Sequence, residues 1–356
     1  MISGVKKSTA SKRAQRALTR AAADRNAQLA AGAAAATGAS VVAAKALLER
    51  RGERSRVYRL QHDEAVAEGI TRVAATRAES AIEHLRSEVD EPFAEAIHEA
   101  RKDLKKLRSV LRLVREPLGD YFYQRDNARF REAGRLLSGT RDAEVKLDTL
   151  ASLRERFGDR FPERGLAPLA NALEDERPAL SGEASRDGGA GSAAIAARQI
   201  EDGRAAIAEW PLEGDGFELI EDGLKRGYRR GRNRFAEAAE DPTEEHVHEW
   251  RKRVKDLWYH LRLVRDARRN PLGKAADRAH ELSDLLGDHH DLAVLRDDAV
   301  RREDLLASED LATLQELVEH RQRELLDAAT GLAKKVYAKK PKSFTSRIGD
   351  YWSAWR

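Results

Sequence analysis

The sequence predicts an all-α protein: two tandem, repeat-related antiparallel four-helix bundles with pseudo-twofold symmetry around a basic central channel. Three observations carry this. Leucine, alanine and charged residues dominate the 356-residue chain while aromatics make up 6%, the composition of long helices. Apolar residues recur at i, i+3, i+4 and i+7 rather than in alternation. An 18-residue segment also occurs twice, 150 residues apart, with 11 positions identical: His98-Glu-Ala-Arg-Lys-Asp-Leu-Lys-Lys-Leu-Arg-Ser-Val-Leu-Arg-Leu-Val-Arg115 and His248-Glu-Trp-Arg-Lys-Arg-Val-Lys-Asp-Leu-Trp-Tyr-His-Leu-Arg-Leu-Val-Arg265.

Residues 1–55 read as an alanine-rich extension with a basic arm (Lys6, Lys7, Lys12, Arg13, Arg16, Arg20). Residues 56–180 form the first repeat. His62–Glu88 is its first helix, and Asp90-Glu-Pro92 opens the helix that carries His98, since proline is tolerated in a first turn. Pro117-Leu-Gly119 closes that helix, 120–138 is a third, Gly139-Thr140 breaks it, and Asp142 is placed to cap a fourth. Residues 181–192 hold four glycines in twelve and read as a flexible linker. In the second repeat, 193–332, the helix 217–239 precedes Asp241-Pro-Thr-Glu244, read as N-cap, N1, N2 and N3. Pro271-Leu-Gly273 echoes Pro117-Leu-Gly119, and Leu285-Leu-Gly-Asp-His-His-Asp291 echoes Leu136-Leu-Ser-Gly-Thr-Arg-Asp142, so Asp291 is expected to cap like Asp142. Residues 333–356 are a basic-aromatic tail with five lysines, Tyr351, Trp352 and Trp355.

The duplicated helix has two edges. His98, Arg101, Lys105, Arg108, Arg112 and Arg115 lie at spacings of 3, 4, 3, 4 and 3, one face of an α-helix. Ile97, Ala100, Leu104, Leu107, Leu111 and Val114 follow one residue earlier, an apolar stripe about 100° away. The second copy has Val247, Trp250, Val254, Leu257, Leu261 and Val264 beside His248, Arg251, Lys255, Arg262 and Arg265, with Trp258 in place of Arg108. A charge run on a helix is usually a solvated face laced with i,i+4 ion pairs. Here no acid lies on the stripe; Glu99, Asp103, Glu249 and Asp256 fall off it. Such a stripe repels itself until a neighbouring acidic helix or an anionic ligand compensates it. Further cations for the same ligand are Arg226, Arg230 and Arg234 at i, i+4 and i+8, and, more sparsely, Arg72 and Arg77. Gly227 and Gly231 leave room for a close approach.

The histidines admit several roles: a hydrogen bond to an anion, a charge below about pH 6.5, or a structural bond to a backbone carbonyl. Each lacks a partner at ligand spacing on its stripe, and three consecutive residues, His289-His290-Asp291, do not converge on one centre, so no metal and no cofactor is expected. The chain has no cysteine, which excludes disulfides and thiolate chemistry. Net charge is only +4 with a pI near 9.1, so segregated patches matter more than the total. The most apolar N-terminal stretch, 27–48, is too alanine-rich for a membrane span; a cytoplasmic protein without a membrane partner is expected.

In these motifs the chain resembles the CHAD domain, the conserved histidine α-helical domain. The resemblance rests on the two histidine-led helices, Arg141-Asp142 and Asp288-His-His-Asp291, and the Gly223-Leu-Lys-Arg-Gly-Tyr-Arg-Arg-Gly-Arg232 helix, and spans about 56–340. It implies two four-helix bundles around a basic channel and binding of inorganic polyphosphate, often at polyphosphate granules. Some relatives carry a triphosphate-hydrolysing domain of the CYTH type, but no Glu-x-Glu-x-Lys strand occurs here. Two other classes stay open. A nucleic-acid binder fits the basic helices, although aromatics do not interleave the first stripe. A phosphotransferase or polyphosphatase would need a phosphate loop or carboxylates holding Mg²⁺ near the stripes, and neither motif is evident, so no catalytic residue is expected.

Overall fold

The computed structural model describes residues 58–86, 93–138, 142–181 and 183–356. The basic arm, the 27–48 stretch, Asp90-Glu-Pro92 and Gly139-Thr140-Arg141 lie outside them. Twelve α-helices and no strand occur among the described residues: α1 (Val66–Leu85), α2 (Phe93–Leu113), α3 (Arg115–Leu118), α4 (Asp120–Leu136), α5 (Asp142–Phe157), α6 (Ala167–Ser181), α7 (Glu183–Ile207), α8 (Glu218–Glu240), α9 (Glu244–Leu263), α10 (Arg269–Arg301), α11 (Ser308–Val336) and α12 (Pro341–Trp355).

The apolar stripes of the duplicated helix are the centre of the core. All twelve positions, Ile97 to Val114 on and after α2 and Val247 to Val264 on and after α9, are at most 3% exposed. Each large side chain among them contributes roughly 1.5–3 kcal/mol of burial. The helices α1, α2, α4 and α7 pack on one another, as do α8, α9 and α10 in succession, with α12 on α8. Gly223 sets the distance between α8 and α2. A methyl group there would lie 1.7 Å from the Leu113 carbonyl oxygen, so only glycine lets the two backbones meet.

Several boundaries differ from those expected. The glycine-bearing connector is helical from Glu183, because Ala193, Ala196, Ala197 and Ile200 give α7 an apolar face that buries against α1 and α4. A helix assigned to the second repeat thus completes the packing of the first. Conversely, α5, α6 and the turn before α6 bury Leu150, Leu153, Leu166, Leu169 and Leu173 against Leu292, Leu295, Leu314 and Val318 of α10 and α11. Asp291 is no cap: α10 runs unbroken through it, since Ser-Gly-Thr of the first repeat is replaced by Gly-Asp-His. The cap of α9 is Thr243, whose hydroxyl accepts from the His246 amide at 3.2 Å, and Asp241 stays outside the helix. The C-terminal segment is a docked helix, with Trp352 buried against Phe217 and Arg356 Nη1 donating to the Glu64 carbonyl at 2.8 Å.

Candidate functional site

Where α2 and α9 run side by side, their basic edges meet. Arg101 and Lys105 of α2 lie beside Arg251 and Lys255 of α9, four cations from the two copies of the repeat. Arg251 lies along α10, where a methyl group on Gly287 would come 3.5 Å from its Nη2. Lys105 is exposed to solvent, which screens its charge, yet the protein around it and then Lys255, Arg101 and Arg251 push its ammonium from 10.5 down to about 7. Burial and then Arg251 bring Lys255 down to about 8, against an opposing pull from Asp284 and Asp291.

That pull comes from α10, whose Asp277, Glu281, Asp284, Asp288 and Asp291 recur at spacings of 4, 3, 4 and 3. Asp277, Glu281, Asp284 and Asp288 line a shallow concavity with His280 and Leu285. Burial, then Asp291 and Asp284, raise the Asp288 carboxyl to about 6. Carboxylates therefore do flank the basic stripe, contrary to expectation. Their periodicity was readable in the sequence, but their proximity to α2 and α9 was not. Among the described residues no group of three or more His, Asp or Glu side chains could hold a metal ion.

The single stripe read on α2 divides. Beyond Lys105 it turns toward α4 and α8, where Arg108 Nε donates to Asn127 Oδ1 at 3.1 Å. Arg112 makes a two-pronged pair with Asp256 of α9, its Nε and Nη2 each 3.0 Å from a carboxylate oxygen. Asp256 also takes Arg253 at 3.2 Å, and Arg226 of α8 donates to the Arg112 carbonyl at 2.8 Å and pairs with Glu116. Arg112, Arg226, Arg230, Arg253, Asp256, His260, Gly223 and Gly227 enclose a cavity of about 20 Å³. Burial, Arg112 and Arg131 hold Arg108 down at about 10. Sequence reasoning missed Arg131, Arg253 and Asp256. The repeat carries the signal: Asp103–Lys106 in one copy (2.8 Å) is reversed to Arg253–Asp256 in the other.

Other expected ligands are held elsewhere. Arg77 is a buried structural cation 3.1 Å from Asp103, both side chains 3% exposed. Arg72 reaches Glu64 at 2.6 Å and the Arg59 carbonyl at 2.8 Å, fixing the segment before α1. Arg115 pairs with Asp120 at 2.9 Å and Arg234 with Glu237 on its own helix. Arg262 lies over the Tyr58 and Trp258 rings, and Arg265 lies alongside Gly273. Trp258 itself is packed on Tyr259 and His280. His98 is half-buried on α2. His248 is not a proton switch near pH 6.5: burial, with His290 4.5 Å away ring to ring, pushes it down to about 4, so it is neutral at physiological pH.

The comparisons agree with this architecture. The family model of the CHAD domain matches residues 74–300. The crystal structure of the CHAD domain from the plant Ricinus communis superposes with a TM-score of 0.51 at 20% identity, covering 84% of this chain and 95% of that one. No curated protein matches the chain in sequence. Among the described residues, no helix is long and apolar enough to cross a membrane.

Proposed function

The chain belongs to the CHAD family, and from that premise we propose that it binds inorganic polyphosphate along the groove of Arg101, Lys105, Arg251 and Lys255. One observation carries the reading: the basic edges of the two copies of the repeat come together, so that Lys105, lowered to about 7 first by the protein around it, is lowered further by Lys255, Arg101 and Arg251. A polyanion laid between them relieves that repulsion. Polyphosphate carries about one charge per phosphate and no bases, so recognition falls to cations on a rigid frame, with arginine bridging two oxygens and lysine acting as a point charge. In this reading the two repeats line one basic channel about a pseudo-twofold axis. The protein concentrates or localises the polymer, at granules for example, and makes or breaks no bond in it. The packing of Trp258 on Tyr259 and His280 leaves the groove without a free stacking platform and weighs against nucleic acid.

The test is titration with long-chain polyphosphate at physiological salt, with duplex and single-stranded DNA as competitors. Binding should weaken steeply as salt rises, by counterion release, and excess DNA should fail to displace the polymer. Binding no tighter than to an unrelated basic protein, or ready displacement by DNA, would remove the proposal.

A further inference from the structure

The cavity enclosed by Arg112, Arg226, Arg230, Arg253 and His260 shares no residue with the lysine groove, and the groove has no use for its histidine. We propose that this arginine pocket is a separate site for a terminal phosphoryl group, the end of a phosphate chain, with one oxygen directed at His260 Nδ1. The choice of ligand rests on the polyphosphate reading; the site itself rests on its own geometry.

His260 is 1% exposed, and its Nε2 lies 2.9 Å from the Ser109 carbonyl oxygen. A carbonyl only accepts, so Nε2 bears the proton and Nδ1 is a bare acceptor. That Nδ1 is buried in the pocket wall without a hydrogen-bond partner. Burial lowers the proton affinity of the ring, which keeps it in this neutral form. A buried acceptor facing a cavity calls for a donor.

The surroundings call for an anion. Asp256 is the one carboxylate among four arginines in the lining, and Arg253 Nε is buried without a partner. At about 20 Å³ the cavity has room for one water-sized group, so one oxygen enters and the rest of the ligand stays at the mouth with exposed Arg230. An anion that also donates a hydrogen bond is a phosphoryl group retaining its last proton. Terminal phosphates titrate near pH 6, as monoesters do, so about a tenth still carries a P–O–H at pH 7, and a hydrogen bond from that P–O–H to Nδ1 selects the protonated form. Internal phosphates of a chain have no such proton. The P–O–H donates to Nδ1 while the ionised oxygens meet Arg230 at the mouth and the unpartnered Arg253 Nε, the other arginine forks being held by Asp256 and Glu116. Gly227 keeps the ring accessible, since a methyl group there would lie 3.2 Å from Nδ1.

The test compares linear tripolyphosphate with cyclic trimetaphosphate, which has three phosphates and no chain end, by calorimetry at pH 7 on the full chain. Tripolyphosphate should bind at least about tenfold more tightly, the effect of one charge-assisted hydrogen bond with its ion pairs. Arg230→Ala, at an exposed position, and Gly227→Ala, which covers Nδ1, should each reduce that preference severalfold. Lys105→Ala with Lys255→Ala should leave it intact. In ¹⁵N spectra the His260 Nδ1 resonance should move with tripolyphosphate and stay with trimetaphosphate. A preference that survives both pocket variants, or that disappears with the lysine variants, overturns the proposal. Long-chain polyphosphate titrated in parallel against Lys105→Ala with Lys255→Ala reads the groove: if its affinity is unchanged by those variants while tripolyphosphate keeps its preference for the pocket, the polymer reading falls and the end site stands.

Discussion

Polyphosphate binding should draw protons from solution, and the groove sets how many. Lys105 titrates at about 7 and Lys255 at about 8 in the free protein. At pH 9, Lys105 is then roughly 1% charged and Lys255 roughly 10% charged. A phosphate chain between them favours the charged form and restores both toward 10.5, so binding at pH 9 takes up between about one and two protons. Working at pH 9 also keeps the polymer's own end groups fully ionised. The sign is fixed by linkage: affinity falls as pH rises from about 7 toward 10, by up to about one to two decades per pH unit. Stability of the free protein moves the other way. A lysine whose folded value lies below its unfolded one destabilises while charged, so unliganded stability should rise as pH climbs from about 7 toward 10. Calorimetry at pH 9 in two buffers of different ionisation enthalpy gives the proton count directly. No proton uptake, together with affinity that is flat from pH 7 to 9.5, would contradict the coupling of lysine charge to binding, because Lys105 and Lys255 would then be charged already in the free protein or would not meet the ligand.

Two further predictions concern the frame. Arg77→Met leaves Asp103 with Lys106 as its remaining ion-pair partner in a buried site and should cost about 3–5 kcal/mol, read from denaturant unfolding. Its affinity for polyphosphate should change little under conditions where it is folded, since Arg77 is a structural cation; a loss of affinity with stability unchanged would return it to the site. Gly223→Ala should cost more than about 3 kcal/mol, because α8 must withdraw from the Leu113 carbonyl, and an unchanged melting temperature would contradict the close approach of α8 and α2.

The local elements were legible because helical phase is a local property. The 3–4 spacing of Ile97 to Val114 and of Val247 to Val264 named twelve positions, and all twelve are buried. The cations Arg101, Lys105, Arg251 and Lys255 were named by the same phase. What phase does not carry is pairing across the chain. Arg112 and Asp256 are 144 residues apart, so nothing in either segment said that Asp256 would draw Arg112 out of the stripe. The acids of α10 likewise had a readable period but no readable neighbour. Glycine content misled at 181–192, because the alanines and isoleucine that follow bury a face strong enough to draw that segment into α7. Arg77 has the residue type of a ligand contact, and only its burial against Asp103 separates the two roles.

The central claim is that basic residues from the two repeats act on the polymer as one site. The most direct measurement is the affinity of long-chain polyphosphate, at physiological salt, for the native chain and for a Lys105→Glu, Lys255→Glu pair. A control pair of equal charge change, Arg154→Glu and Arg160→Glu, lies on and beside α5, where these arginines reach Glu163 and Glu316. The groove pair should abolish binding with the helical content and fold retained, and the control pair should weaken it by no more than about threefold, a difference of roughly 0.7 kcal/mol. Equal losses from the two pairs would mean that overall basicity, rather than the meeting of α2 and α9, holds the polymer.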